Sequence, residues 1–156
     1  MSPPLIEARH LTRILPGTVP VTLVRDVNLS IGAGEFIAIT GPSGSGKSSL
    51  LYLLGLLDLP TGGEVMIKGR STKVMSEEER TRVRLMLLGF VFQFHFLLPE
   101  FSLMENVALP MRALGRLAPR EILGRAEHLL ASFGLGEHRQ KTPDQLSGGQ
   151  RQRVAV

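Results

Sequence analysis

Gly41-Pro42-Ser43-Gly44-Ser45-Gly46-Lys47-Ser48 decides the fold of this chain, because it fits the phosphate-loop pattern G-x-x-x-x-G-K-[ST]. Before it, Glu35-Phe36-Ile37-Ala38-Ile39-Thr40 is a short apolar run between Gly32-Ala33-Gly34 and Gly41-Pro42, and it reads as a buried strand. After it, the Leu-rich stretch from Lys47 to Leu57 is long enough for a helix. A glycine-rich segment between strand and helix turns successive backbone N–H groups around an anion. The helix that follows points its positive end at the same place. Lys47 adds a full charge, worth roughly 4 kcal/mol at about 4 Å and an effective dielectric near 20, before desolvation. Ser48 offers Mg²⁺ a hydroxyl, the hard oxygen ligand it prefers.

A second motif closes the sequence. In Leu146-Ser147-Gly148-Gly149-Gln150, Ser147 and Gln150 have the spacing of a capping box. It starts a helix expected to run through Arg151-Gln152-Arg153-Val154-Ala155-Val156. The glycine pair strips side chains from the helix start, so a phosphate can approach the amides.

With Gln93 at the end of Gly89-Phe90-Val91-Phe92-Gln93 between them, these motifs resemble, in order and spacing, an ABC transporter ATP-binding protein over essentially the whole chain. Leu50 to Asp58, Gly89 to Pro99 and Glu105 to Pro110 look like the lipoprotein-releasing and macrolide-exporter group. The resemblance implies an α/β fold: a P-loop NTPase with an N-terminal antiparallel β region and a helical subdomain, the C-terminal part of its core sheet missing. Residues 1–93 would form the N-terminal part of the ATP-binding core, and 94–156 the Q-loop and helical signature subdomain. ATP and Mg²⁺ are the implied cofactors. Gly41, Pro42, Ser43, Gly44, Ser45, Gly46, Lys47, Ser48 and Ser49 would hold the nucleotide from one side. Ser147, Gly148, Gly149 and Gln150 would hold the nucleotide of a second, head-to-tail domain. Gln93 would reach the metal and the attacking water, sharing the metal with Ser48. Transmembrane permease subunits are the further partners, which places the protein at the inner face of the plasma membrane. The implied activity is ATP binding and hydrolysis coupled to transport through a membrane permease, lipoprotein release or export being the process suggested. Two other readings stay open: a nucleotide-binding module without hydrolysis, and a soluble ATPase of this family acting on nucleic acid.

Two departures from the family pattern bear on chemistry. Leu15 stands where the family usually carries an aromatic residue against adenine, so it covers one ring face without π stacking. The family also continues with an apolar strand ending in Asp-Glu, a D-loop and a switch histidine. The 156 residues alone are therefore expected not to hydrolyse ATP. Glu35, Glu64, Glu100 and Glu105 are the nearest substitutes for a general base, and none follows an apolar strand as required. Missing strands would leave apolar edges unpaired, at about 1–3 kcal/mol per buried amide.

Elsewhere the pattern is regular. Leu5–Leu11 and Val21–Ile31 read as antiparallel strands, and Glu64–Ile67 as another, closed by Gly69. Ser76 with Glu79 caps a helix, as does Ser102 with Glu105, the latter ending near Gly115. Pro119 opens a helix ending at Phe133-Gly134. Phe94-His95-Phe96-Leu97-Leu98 is either helical-subdomain core or the rim of a groove for a permease helix. His95 reads as a packing or hydrogen-bonding residue. There is no cysteine, hence no disulfide. The N-terminus from Met1 to Glu7 carries no secretory pattern, and Leu50–Leu57, the longest apolar run, is far short of a membrane span. The net charge of +4 includes Arg80, Arg82, Arg84, Arg112, Arg116, Arg120 and Arg125. These read as solvated helix faces, because no aromatic residues interleave for base stacking, and no nucleic-acid partner is expected.

Overall fold

The computed structural model describes residues 3–156. The first two residues of the N-terminal stretch lie outside them. The chain divides into two compact units, Met1–Arg84 and Leu85–Val156.

The first unit is built on an antiparallel sheet of β1 (Ile6–Leu15), β2 (Val21–Ile31), β3 (Gly62–Ile67) and β4 (Arg70–Ser71), in the order β2-β1-β3-β4. β1 buries both Ala8 and Leu11, three residues apart, because the pairing with β2 shifts register between them, where His10 has φ 48°. It runs beyond the expected end at Leu11. Its polar continuation is fastened by Arg13, whose Nε donates to Asp58 at 2.8 Å, and by the Ile14 amide, which donates to Thr61 Oγ1 at 3.0 Å. Helix α1 (Lys47–Leu54) packs against β2, and Leu53 and Leu54 are buried. Helix α2 (Glu77–Leu87) begins at the expected box: the Ser76 amide donates to Glu79 Oε2 at 2.9 Å, and the Glu79 amide to Ser76 Oγ at 3.2 Å.

The second unit is helical. Helix α3 (Leu103–Leu114) ends at Gly115 with φ 63°, and α4 (Pro119–Ser132) follows. Two 3₁₀ turns, Gly136–His138 and Pro143–Gln145, lead into α5 (Gly148–Val154). Leu103, Leu130, Leu135 and Leu146 form one buried cluster; Ala108, Ile122 and Ala126 form the seam between α3 and α4.

Three expectations are corrected. Glu35–Thr40 and Gly89–Gln93 are not strands; Phe36 is 94% exposed and Val91 65%. A strand needs a neighbour to exchange hydrogen bonds with, and among the described residues none pairs with either segment. Arg80 and Arg84 are not a solvated face. Their side chains are 13% and 20% exposed, and both reach Glu77. Arg80 also donates to the Met75 carbonyl, and Arg84 to the Leu56 carbonyl beyond α1.

The α3 cap yields a pH prediction. Ser102 donates from its hydroxyl and its amide to Glu105 Oε2, at 2.7 and 2.8 Å. These bonds, with Arg112 nearby, hold the Glu105 carboxyl below its ordinary value. The stabilisation is present in full above that ordinary value and is lost as pH falls through the lower folded one. Ser102→Ala should cost about 1 kcal/mol at neutral pH and less under acid. Amide exchange over the first turn of α3 in the full-length protein reads this; a difference that grows with acidification contradicts it.

Candidate functional site

The phosphate loop is shaped by one close approach. Gly46 precedes α1 with φ 87°, and a Cβ there would stand 2.2 Å from the Leu23 carbonyl oxygen of β2. No L-residue with a side chain fits that space in that conformation. The start of α1 is thereby pressed onto the sheet. Among the described residues no side chain caps α1, and no acidic residue sits in its first turn. Its N-terminal amides keep their positive end.

Lys47 Nζ donates to the carbonyls of Gly41 at 2.9 Å and Pro42 at 2.7 Å, so the ammonium is held over the loop. The Ser45 amide donates to the Pro42 carbonyl at 3.3 Å and turns the chain between them. A cavity of about 600 Å³ opens here, lined by Gly41, Pro42, Ser45 and Lys47 and by Leu23 and Arg25 of β2. Ser43, Gly44 and Ser48 are exposed, and Ser49 is half-buried. Exposed amides, one fixed cation and a hydroxyl beside it suit a polyphosphate with a hard cation.

The other expected residues belong to the second unit. The Ser147 amide donates to Gln150 Oε1 at 2.9 Å, and the Gln150 amide donates to Ser147 Oγ at 3.3 Å. The box is formed as its spacing requires. Leu146 is buried and fixes where the helix starts. Gly148 and Gly149 are exposed, and a Cβ on either would meet nothing within 4 Å. Local packing therefore does not demand glycine at these positions. α5 ends at Val154, two residues short of the expected run.

Gln93 is exposed at a bend. Phe90 and Phe92 stack with centroids 5.7 Å apart, and Phe96 meets Phe92 edge-on at 5.1 Å. Phe94 and Phe96 are 69% and 66% exposed, which excludes them from the helical core. Phe96, Leu97 and Leu98 line a cavity of about 600 Å³ with residues of α3 and α4. His95 Nδ1 accepts from the Leu97 amide at 3.3 Å, a hydrogen-bonding role. Two residues not singled out from the sequence also act here: Gln152 Nε2 donates to the Phe92 carbonyl at 3.0 Å, and Asn106 binds the backbone of Leu98.

Three of the four alternative carboxylates are engaged locally. Glu35 accepts from the Gly32 amide at 2.7 Å, Glu64 from the Ser71 hydroxyl, and Glu105 caps α3. Glu100 is exposed. Leu15 is 39% exposed at the end of β1.

The family model described as ABC transporter matches residues 24–156. The chain belongs to the ABC transporter family. It is 48% identical, over 159 residues, to the lipoprotein-releasing system ATP-binding protein LolD 2 of Caulobacter vibrioides, covering 100% of this chain and 68% of that protein. To LolD of Aquifex aeolicus it is 43% identical over 152 residues, covering 97% of this chain and 66% of that protein. To LolD of Anaeromyxobacter dehalogenans it is 51% identical over 141 residues, covering 90% and 59%. A solved structure of the ATP-binding cassette MJ0796, a dimer in a post-hydrolysis state bound to ADP and Pi, superposes with a TM-score of 0.88 at 40% identity. That match covers 96% of this chain and 66% of the cassette. The α/β P-loop fold of the ABC ATPases is thus established, and the chain spans between 58% and 68% of the length of its curated relatives. Among the described residues no helix is long and apolar enough to cross a membrane.

Gly46→Ala should weaken Mg·ATP binding by at least about tenfold, or ~1.4 kcal/mol, because the loop must move off β2. Gly148→Ala should leave monomer affinity within about twofold, since its Cβ meets nothing. Calorimetry on both full-length variants checks this; equal effects refute the geometric account.

Proposed function

We propose that this chain is the ATP-binding part of an ABC transporter subunit that couples ATP binding and hydrolysis to work by a membrane permease, with lipoprotein release as the process. The carrying observation is the Lys47 ammonium fixed over an uncapped helix start that only Gly46 allows. The names of the relatives support the narrower process.

In this reading residues 1–93 serve as the core that takes the triphosphate, and 94–156 as the Q-loop and signature part. Gly41 to Ser48, with Ser49, hold the phosphates through backbone amides and Lys47. Ser48 and Gln93 supply oxygen ligands for Mg²⁺. When bound, Mg²⁺ neutralises developing charge on the phosphates. Gln93 also orients the attacking water. Ser147, Gly148, Gly149 and Gln150 serve the nucleotide of a second copy. The dimeric state of the MJ0796 cassette with ADP and Pi supports that pairing. Permease subunits would then hold the protein at the cytoplasmic face of the membrane.

Two substitutions in the full-length protein test the division of labour. Lys47→Ala should weaken Mg·ATP binding by at least about tenfold, since it removes the loop's only full charge. Ser147→Arg should abolish ATP-driven dimerisation while leaving monomer binding within about threefold. Loss of monomer binding in Ser147→Arg would mean that the signature serves its own chain's nucleotide. Unchanged affinity in Lys47→Ala would refute the phosphate-loop assignment.

A further inference from the structure

The loop that carries Gln93 is held at both ends by a side-chain amide. At its start, Gln152 Nε2 of α5 donates to the Phe92 carbonyl at 3.0 Å, a part-buried bond across 60 residues of sequence. At its end, Asn106 of α3 grips Leu98 by both backbone groups. The Leu98 amide donates to Asn106 Oδ1 at 2.8 Å, and Asn106 Nδ2 donates to the Leu98 carbonyl at 3.1 Å. The same nitrogen lies 3.1 Å from the Phe101 carbonyl and 3.0 Å from the Ser102 carbonyl, so Asn106 is itself locked to the start of α3. Phe96, between the clamps, has φ 47°, a left-handed conformation that a non-glycine residue keeps only where its surroundings over-determine it.

We propose that Gln152 and Asn106 are positioning residues for Gln93, suspending its loop between the signature helix and α3. The inference rests on the ATP-hydrolysing reading above, in which Gln93 meets the metal and the water. The Phe92 carbonyl belongs to the peptide that enters Gln93, so its direction sets the Gln93 backbone. Gln152 and Gly149 lie on the same short helix. Any displacement of α5 as a phosphate engages the signature amides therefore pulls on the Phe92 carbonyl. Asn106 keeps the far end fixed, so the pull turns the loop instead of sliding it. The amide of Gln152 thus links occupancy at Ser147–Gln150 to the aim of Gln93.

The test uses the full-length protein assembled with its permease. Gln152→Glu is isosteric and removes the donor. Gln152→Lys keeps a donor on a longer arm. Gln152→Glu should lower kcat about tenfold with KM for ATP within about threefold, and Gln152→Lys should retain kcat within about threefold. In a Gln93→Ala background, Gln152→Glu should add less than about twofold, because it acts through Gln93. Amide exchange at residues 93–97 should rise in Gln152→Glu. Asn106→Asp should raise exchange at the Leu98 end, and it decides the matter if Gln152→Glu does not fold. Additive losses with Gln93→Ala, or unchanged exchange in these variants, overturn the proposal. A wild-type complex that does not hydrolyse ATP would instead remove the functional reading, and the exchange measurements would still judge the tethers.

Discussion

The close approach of Gly46 to the Leu23 carbonyl is the constraint on which the rest of the first unit's chemistry depends. It leaves no room for a Cβ, so the chain must take the left-handed turn that starts α1 against β2. That contact sets the direction of the α1 amides and the position of Lys47, the next residue. The lysine bridges the carbonyls of Gly41 and Pro42 and closes the loop around its own charge. The segment that follows α1 is held by polar bonds as well as by burial of Leu56. Arg13 joins β1 to Asp58, and Arg84 joins α2 to the Leu56 carbonyl.

The second unit solves a different problem. Its helices are short, and short helices depend on caps and tertiary packing more than on propensity. Ser102 with Glu105 and Ser147 with Gln150 each close a capping box, and Leu146 is driven into the cluster of Leu103, Leu130 and Leu135. The start of α5 is thus fixed by its cap and by buried Leu146, although two exposed glycines follow. Under the pairing proposed above, each half-site by itself would satisfy only part of a triphosphate's charge.

Much of this was legible in the sequence because the signals are local. Capping boxes are read from residues three apart, and Ser76, Ser102 and Ser147 all form theirs. Gly115 and Pro119 bound their helices as their backbone preferences demand. The phosphate loop is itself a local pattern, and the family match agrees with the resemblance it carries. The failures are non-local. The apolarity of Glu35–Thr40 and Gly89–Gln93 reports what a segment needs, not whether a pairing strand lies beside it. Glu77 is a partner of Arg80 readable three residues away, but the carbonyls of Met75 and Leu56, which draw Arg80 and Arg84 inward, carry no sequence signal. Gln152 escaped notice for the same reason: its partner is a backbone carbonyl 60 residues away.

We propose that the phosphates, not the base, supply the affinity: the Lys47 ammonium and a set of amides on one side, and aliphatic Leu15 where stacking would favour adenine. The most direct measurement is calorimetry of the full-length protein with Mg·ATP, Mg·GTP and adenosine. The expected result is ATP and GTP within about threefold of each other and adenosine weaker by at least about a hundredfold, or ~2.7 kcal/mol. Adenosine binding close to ATP, with GTP far weaker, would contradict it.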